Sequence, residues 1–317
     1  MKLLITPTSL QPGKNPQVFK RLEEFADELV FNEAGRPLTE EELILLLKDC
    51  DGYLAGLDYV TEKVIRSCPG LKVISRYGAG YDRVDIAAAK ERNIIVTNTP
   101  GVNAEAVGEL AFGLLISLAR KIHYLDSQTK KGHWARSTGM ELKGRKIGIV
   151  GLGAIGKIVA RCAGGFGMQV MAYDPYLNQG YCEEHGISPV SLEFLLKNAD
   201  AVSLHLPLNE ETLHMIDGKA LGMMKKDVLI VNASRGGIID EEAAFQALKA
   251  GEIGGLGLDA FEQEPPEGSP LLGLDNVVVT PHTGAHTKEA IENMAALSVD
   301  NLIKALRGEP CEHIVNM

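Results

Sequence analysis

Lys146-Ile147-Gly148-Ile149-Val150-Gly151-Leu152-Gly153-Ala154-Ile155-Gly156 is the stretch on which the fold turns. Ile147 to Val150 is an apolar run of strand length, and Ile155, Ile158, Val159 and Cys162 then repeat at helical spacing. A strand, a Gly-x-Gly-x-x-Gly turn and a helix in that order form the fingerprint of a dinucleotide site. Its glycines allow the tight turn, the close approach of backbone to pyrophosphate and the packing of helix on strand, while the helix N-terminus offers free amides to phosphate. Gly151, Gly153 and Gly156, with Ala154 and Ile155 between them, are therefore candidate cofactor contacts. The pattern alone is weak in a chain with 34 glycines; its place between strand and helix gives it force.

Working outward, the next apolar run, Gln169–Tyr173, ends at Asp174, where a carboxylate would accept hydrogen bonds from a ribose. No Arg or Lys follows to receive a 2′-phosphate, so NAD is expected rather than NADP. Short apolar runs continue at Ala201–Leu206, Val228–Asn232, Gly255–Leu258 and Val277–Thr280. A similar series precedes the fingerprint, at Lys2–Thr6, Glu28–Phe31, Gly52–Ala55, Leu71–Ser75 and Ile94–Thr97. Helical stretches alternate with these runs, starting near Pro16, Thr39, Thr61 and Asp82. Thr39 with Glu42 reads as a capping box. One long helical stretch is expected from Asn103 to Lys131.

Such alternation implies α/β architecture with two doubly wound parallel-sheet domains. The last helix, from about Lys288 to Leu306, stands outside the second strand series and is expected to return to the first domain. The expected division is residues 1–98 plus 286–317 for one domain and 99–285 for the other.

Composition narrows the function. The chain has 317 residues and a formal charge of -10, which argues against nucleic acid as a partner. No run has the apolar length of a membrane span, and the N-terminus lacks a signal-peptide pattern. Five scattered cysteines, none in Cys-x-x-Cys, suggest neither disulfides nor a metal site. A cytoplasmic protein is the resulting expectation.

Chemistry-bearing residues follow three of the later apolar runs. Arg235 lies in Asn232-Ala233-Ser234-Arg235-Gly236-Gly237, where a planar guanidinium can grip a carboxylate through two hydrogen bonds. His282 lies in Thr280-Pro281-His282-Thr283-Gly284 and suits proton transfer near neutral pH. Glu262 and Glu264 both stand in Leu258-Asp259-Ala260-Phe261-Glu262-Gln263-Glu264-Pro265 as carboxylates that could orient the imidazole.

Taken in order, these segments resemble the D-isomer-specific 2-hydroxyacid dehydrogenase family, and most of all its phosphoglycerate dehydrogenase branch. The resemblance spans essentially the whole chain and includes Arg76-Tyr77-Gly78-Ala79-Gly80-Tyr81-Asp82 and Asn98-Thr99-Pro100-Gly101. It implies a flavodoxin-like substrate domain and a Rossmann NAD-binding domain. It also implies hydride transfer between NAD and a small 2-hydroxy or 2-oxo acid. By this resemblance the catalytic residues are Arg235, Glu264 and His282, Glu264 being the carboxylate next to Pro265. Ala79 and Gly80 match a loop whose amides hold the substrate carboxylate, and Asn103 matches a residue facing substrate in some members. Leu206, Ser234 and Asp259 match positions lining the NAD site. Relatives are typically homodimers, and the apolar Val107–Ala119 helix matches their contact region.

One departure and three alternatives accompany the resemblance. Relatives that bind phosphoglycerate often carry a basic residue in the loop matching Leu54–Asp58, which has none here; Asp58 would repel a phosphate if it faced the site, and Arg76 and Arg136 could compensate, Arg136 from the second subunit of a dimer. Glyoxylate or hydroxypyruvate reduction is the alternative chemistry. Some proteins of this fold are NAD-sensing corepressors, distinguished by lack of turnover, while formate dehydrogenases place Gln where Glu264 stands.

Overall fold

The computed structural model describes all residues, Met1–Met317, and divides the chain into two compact units. Unit 1 comprises Met1–Asn103 and His286–Met317; unit 2 is Ala104–Ala285. The first boundary falls after Asn103 rather than after residue 98. Asn98 and Thr99 are bound into unit 1: Asn98 donates to Ala79 O and His313 O, and Thr99 N–H donates to Gly78 O.

Unit 1 has five parallel strands, β1 (Lys2–Ile5), β2 (Glu28–Phe31), β3 (Gly52–Ala55), β4 (Val73–Arg76) and β5 (Ile95–Thr97), in the order β2-β1-β3-β4-β5. This is the flavodoxin-like order. Helices α1 (Pro16–Phe25), α2 (Glu40–Leu47), α3 (Glu62–Ser67) and α4 (Ile86–Glu91) lie between the strands. The Thr39–Glu42 capping box forms with both of its hydrogen bonds. The helix expected near Asp82 begins only at Ile86, because Asp85 supplies the side-chain cap. Leu43, Leu47, Val64, Ile65, Ala88 and Ala89 from three of these helices share one core with Tyr53, Ile74 and Val96 of the strands.

Unit 2 opens with α5 (Ala104–Arg120) and α6 (Ile122–Lys130). The expected single helix is thus two, broken where Lys121 takes a left-handed φ of 53°. Five strand–helix pairs follow: β6 (Lys146–Val150), α7 (Ala154–Gly165), β7 (Gln169–Tyr173), α8 (Gln179–Glu184), β8 (Ser188–Pro189), α9 (Leu192–Asn198), β9 (Ala201–Leu204), α10 (Gly218–Met223), β10 (Leu229–Asn232) and α11 (Glu241–Ala250). Then come β11 (Gly255–Leu258) and β12 (Val277–Val279). The parallel order is β12-β11-β10-β9-β6-β7-β8, so the crossover direction reverses between β6 and β9. Ligands of such sheets lie beyond the carboxyl ends of the strands at that reversal.

Helix α5 packs on α7 and on β10 to β12. Val107, Ala111, Leu114, Leu115 and Leu118 are buried in this unit's own core. Much of the apolar face expected at a dimer contact is therefore used within the chain. The last helix, α12 (Lys288–Arg307), belongs to unit 1, where it packs on β3, β4 and β5. No helix is long and apolar enough to cross a membrane.

Candidate active site

The glycines of the β6–α7 turn differ in what each permits. Gly151 has φ +95° and a Cβ there would come within 2.6 Å of His205 O. A Cβ on Gly156 would meet Gly151 O at 2.1 Å, so only glycine lets the first turn of α7 close against the strand end. Gly153 has open space around its Cβ position and is the N-cap of α7. The turn thus combines two forced close contacts with an open cradle at a helix N-terminus, which fits a pyrophosphate. Ala154 and Gly153 are exposed there and Ile155 is half-buried. Asp174 follows β7, and its two carboxylate oxygens accept Leu152 N–H and Tyr176 N–H, each at 2.8 Å. The carboxylate both ties the glycine turn to β7 and shapes the turn at Pro175, with lone pairs left on each oxygen.

Arg235, Glu264 and His282 follow β10, β11 and β12, on the same edge of one sheet. His282 Nδ1–H donates to Glu264 Oε1 at 2.8 Å, with side chains 24% and 17% exposed. That geometry leaves Nε2 as the other working nitrogen. Glu262 is not the partner: its carboxylate pairs with His214 Nε2 at 3.1 Å and accepts Glu241 N–H. His282 itself has a left-handed φ of 52°, a conformation uncommon outside glycine and Asn, so the surrounding loop must hold it.

Asp259 supplies that hold. It is 2% exposed and accepts from Thr280 Oγ1 at 2.6 Å and from the Thr283 and Gly284 amides at 2.8 Å. Its buried carboxylate braces both sides of His282. Asn232 does comparable work for Arg235: its amide donates to Arg235 O, and its Oδ1 accepts from Ser234 N–H and Oγ–H. Ser234 is 8% exposed with its hydroxyl committed to Asn232, whereas Leu206, after β9, is half-buried. Gly236 lets the Arg235 loop lie directly on the Glu264 segment; a Cβ there would sit 1.9 Å from Phe261 O. The Asn232 bonds are local, whereas the Asp259 bonds and the Gly236–Phe261 approach join residues more than twenty positions apart, a distance at which no sequence period operates.

In unit 1, Gly78, Ala79 and Gly80 follow β4. Thr99 N–H, Asn98 Nδ2 and Arg76 Nε bind their three carbonyls at 3.0, 2.7 and 3.0 Å. The amides of Ala79 and Gly80 remain as the loop's uncommitted donors, and Asn103 is half-buried at the unit's last position before α5. The Leu54–Asp58 loop is equally fixed. Asp58 is 1% exposed and takes Tyr53 OH at 2.7 Å, Leu38 N–H at 2.6 Å and the Thr6 hydroxyl. It faces the interior, so the expected repulsion of a bound phosphate does not arise. Arg76 is 4% exposed with Nη1 on Ala55 O, and Arg83 Nη1 binds Leu57 O. Both guanidinium groups thus hold loop backbone, while Arg136 is exposed in unit 2.

The family described as "D-isomer specific 2-hydroxyacid dehydrogenase, NAD binding domain" matches residues 112–284. The chain belongs to the D-isomer-specific 2-hydroxyacid dehydrogenase family. It is accordingly an NAD-dependent oxidoreductase of 2-hydroxy acids. Over 289 residues it is 43% identical to a D-3-phosphoglycerate dehydrogenase of Methanocaldococcus jannaschii, covering 90% of this chain and 55% of that protein. The chain thus spans about half the length of that relative. It is 39% identical to a glyoxylate reductase of Thermofilum pendens, covering 99% of this chain and 94% of the relative. Among solved structures, a D-lactate dehydrogenase from Aquifex aeolicus complexed with NAD and lactic acid aligns at TM-score 0.85 and 28% identity, covering 99% of both chains.

Proposed function

We propose that this protein is a reductase of small, unphosphorylated 2-oxo acids, with His282 as proton donor, Glu264 as its orienting carboxylate and Arg235 as the substrate-carboxylate ligand. The observation that carries this reading is the 2.8 Å His282–Glu264 bond at the edge of the sheet that bears the glycine turn. NADH, when bound, supplies the hydride to C2. Glu264 fixes the ring so that Nε2–H of protonated His282 can donate to the oxygen that gains negative charge. Arg235 offers two parallel N–H groups to the carboxylate, and Ala79 and Gly80 of unit 1 are taken as substrate ligands on the family resemblance alone. In the oxidative direction neutral His282 takes the hydroxyl proton at Nε2.

On the cofactor side, Gly151, Gly153, Ala154, Ile155 and Gly156 are taken as the pyrophosphate turn and Asp174 as the ribose ligand. Leu206 and Ser234 are taken as lining residues. Asp259, which also braces the His282 loop, is taken with them. A negative Asp174 also disfavours the 2′-phosphate of NADP. Two exposed apolar residues after α5, Ile122 at 51% and Trp134 at 84%, support a homodimer, and the family supports a cytoplasmic enzyme.

The unphosphorylated class rests on the Leu54–Asp58 loop, which carries no basic side chain and whose nearby Arg76 and Arg83 hold its carbonyls. Exposed Arg136 and the phosphoglycerate dehydrogenase relatives favour the second reading, a phosphorylated substrate. Measurement of kcat/KM with NADH and glyoxylate, hydroxypyruvate or phosphohydroxypyruvate separates the two. Hydroxypyruvate or glyoxylate should exceed phosphohydroxypyruvate by at least about tenfold, the scale of one lost charged contact. Preference for phosphohydroxypyruvate would overturn the unphosphorylated reading, and absence of turnover with all three would remove the reductase assignment.

A further inference from the structure

Beyond the three loops that carry Arg235, Glu264 and His282, one polar cluster stands on the same sheet edge. Glu241 is the first residue of α11, capped by Asp240, whose carboxylate accepts Ala243 N–H. Its Oε1 accepts Glu262 N–H at 2.7 Å, and Glu262 Oε1 returns the bond by accepting Glu241 N–H at 3.1 Å. His214, from the loop after β9, brings Nε2 to the same Glu262 oxygen at 3.1 Å. His214 is itself held in a left-handed conformation, φ 50°, with its amide on Gly237 O at 2.6 Å. Three loops and the start of a helix are therefore tied together two residues before Glu264.

We propose that Glu241 is a positioning residue for hydride transfer: its reciprocal bond with Glu262 fixes the Phe261–Glu264 segment and so holds Glu264 against His282. The inference rests on the reading of Glu264 and His282 as the proton-transfer pair. Each member of that pair has its own brace. His282 is held by Asp259, which is buried and satisfied on both sides of the loop. The Glu264 segment is pressed against Gly236 at Phe261 and anchored at Glu262 by Glu241. Without the second anchor the backbone could pivot at Phe261 and carry the Glu264 carboxylate off Nδ1.

The charges around Glu241 favour positioning by its oxygen rather than by its charge. Glu262 and Glu264 face it from the segment after β11, His214 stands across Glu262, and Asp240 and Glu242 flank it on its own element. Burial raises the Glu241 carboxyl above its ordinary value, the Glu262 amide opposes this, and the charges of Glu262 and Glu264 raise it further. A neutral acceptor at this position would keep the bond to Glu262 N–H and remove the repulsion.

Glu241→Ala, Glu241→Gln and Glu264→Gln provide the test, with the whole enzyme, NADH and the best 2-oxo acid of the panel. Melting temperature and the pH profile of kcat are recorded for each, using deuterated NADH to confirm that hydride transfer limits the rate. Glu241→Ala should lose about tenfold in kcat, since small misplacements of a catalytic group cost that much or more, with KM for NADH within about twofold. Its reductive profile should move to lower pH, in the same direction as that of Glu264→Gln. Glu241→Gln should recover kcat to within about twofold of wild type. A Glu241→Ala enzyme with normal kcat and an unmoved profile overturns the proposal, as does a Glu241→Gln enzyme as impaired as Glu241→Ala. Activity lost only in proportion to unfolded protein overturns it too. If the Glu264→Gln profile fails to move, the underlying pair assignment falls; if it moves while Glu241→Ala resembles wild type, only the role of Glu241 falls.

Discussion

Two histidines stand just past strand ends of the same sheet, and their surroundings differ in kind. His282, after β12, gives Nδ1–H to the Glu264 carboxylate and keeps part of its ring exposed. His205, after β9, pairs Nε2 with the Ser203 hydroxyl at 2.8 Å, and its Nδ1 is enclosed without a partner. Burial pushes the His205 imidazole down to about 3, which keeps it neutral throughout the physiological range. Its main-chain oxygen is the atom that would collide with a side chain at Gly151. Position at a strand end therefore does not make a histidine a proton carrier. A carboxylate partner suits His282 to the proton-carrying role proposed for it, whereas a hydroxyl partner and an enclosed Nδ1 make His205 a fixed wall for the glycine turn.

The largest expected effect breaks the comparison at His282. His282→Ala should lower kcat for reduction by about 100-fold or more, the usual scale for a lost general acid, while NADH affinity by fluorescence titration stays near wild type. The glycine turn and Asp174 are untouched by this change. A variant retaining most of its kcat would remove His282 from the proton path. Glu264→Gln sharpens the comparison by making the His282 site more like that of His205, with a neutral partner in place of a charged one. About tenfold should be lost, and the reductive kcat profile should fall off at lower pH, because protonated imidazole loses its negative neighbour. The oxidative profile should rise at lower pH for the same reason. Profiles that coincide with wild type, with hydride transfer limiting, would contradict the assigned pairing.

The two parallel sheets were legible because strand runs and the glycine turn are local signals, whereas the strand order was not. The Thr39–Glu42 cap is another local signal. The strand-end positions of Arg235, Glu264 and His282 were also legible, each following an apolar run in a motif of several residues, and two of the three meet in the His282–Glu264 bond. What was not legible depends on pairing across the fold. Lys121 has no local feature that announces a left-handed break between α5 and α6. Asp259 reads as a strand-end acid, suited to a ligand, and only the position of Thr280, Thr283 and Gly284 shows that it points inward. Asp58 likewise reads as a loop charge until Thr6, Tyr53 and Leu38 are seen to surround it. In each case the chemistry of the side chain was plain, and the direction it faces was set by partners remote in sequence.

The smallest kinetic effect should come from His205, and it separates the two histidines by a different measurement. His205→Gln should change kcat by less than about threefold, because the residue neither gains nor loses a proton during turnover. Its mark should appear in stability. The unfolded chain binds a proton at His205 below about 6.5, the ordinary value for an imidazole, whereas the folded chain resists it down to about 3. Between those limits the unfolded state holds more protons, so stability contributed by keeping this ring neutral is fully present above the higher value. It is lost progressively as the pH falls, by up to about 1.4 kcal/mol per pH unit. Urea unfolding of wild type and His205→Gln at intervals between pH 7 and pH 4 tests this directly. Every other titrating group is common to both proteins, so the difference between the two curves isolates His205. Wild type should lose stability more steeply than His205→Gln as the solution is acidified, whatever the variant's absolute stability at pH 7. Parallel curves would show that His205 takes up its proton in the folded protein at no cost, and the contrast with His282 would then lie in the partner alone and not in enclosure.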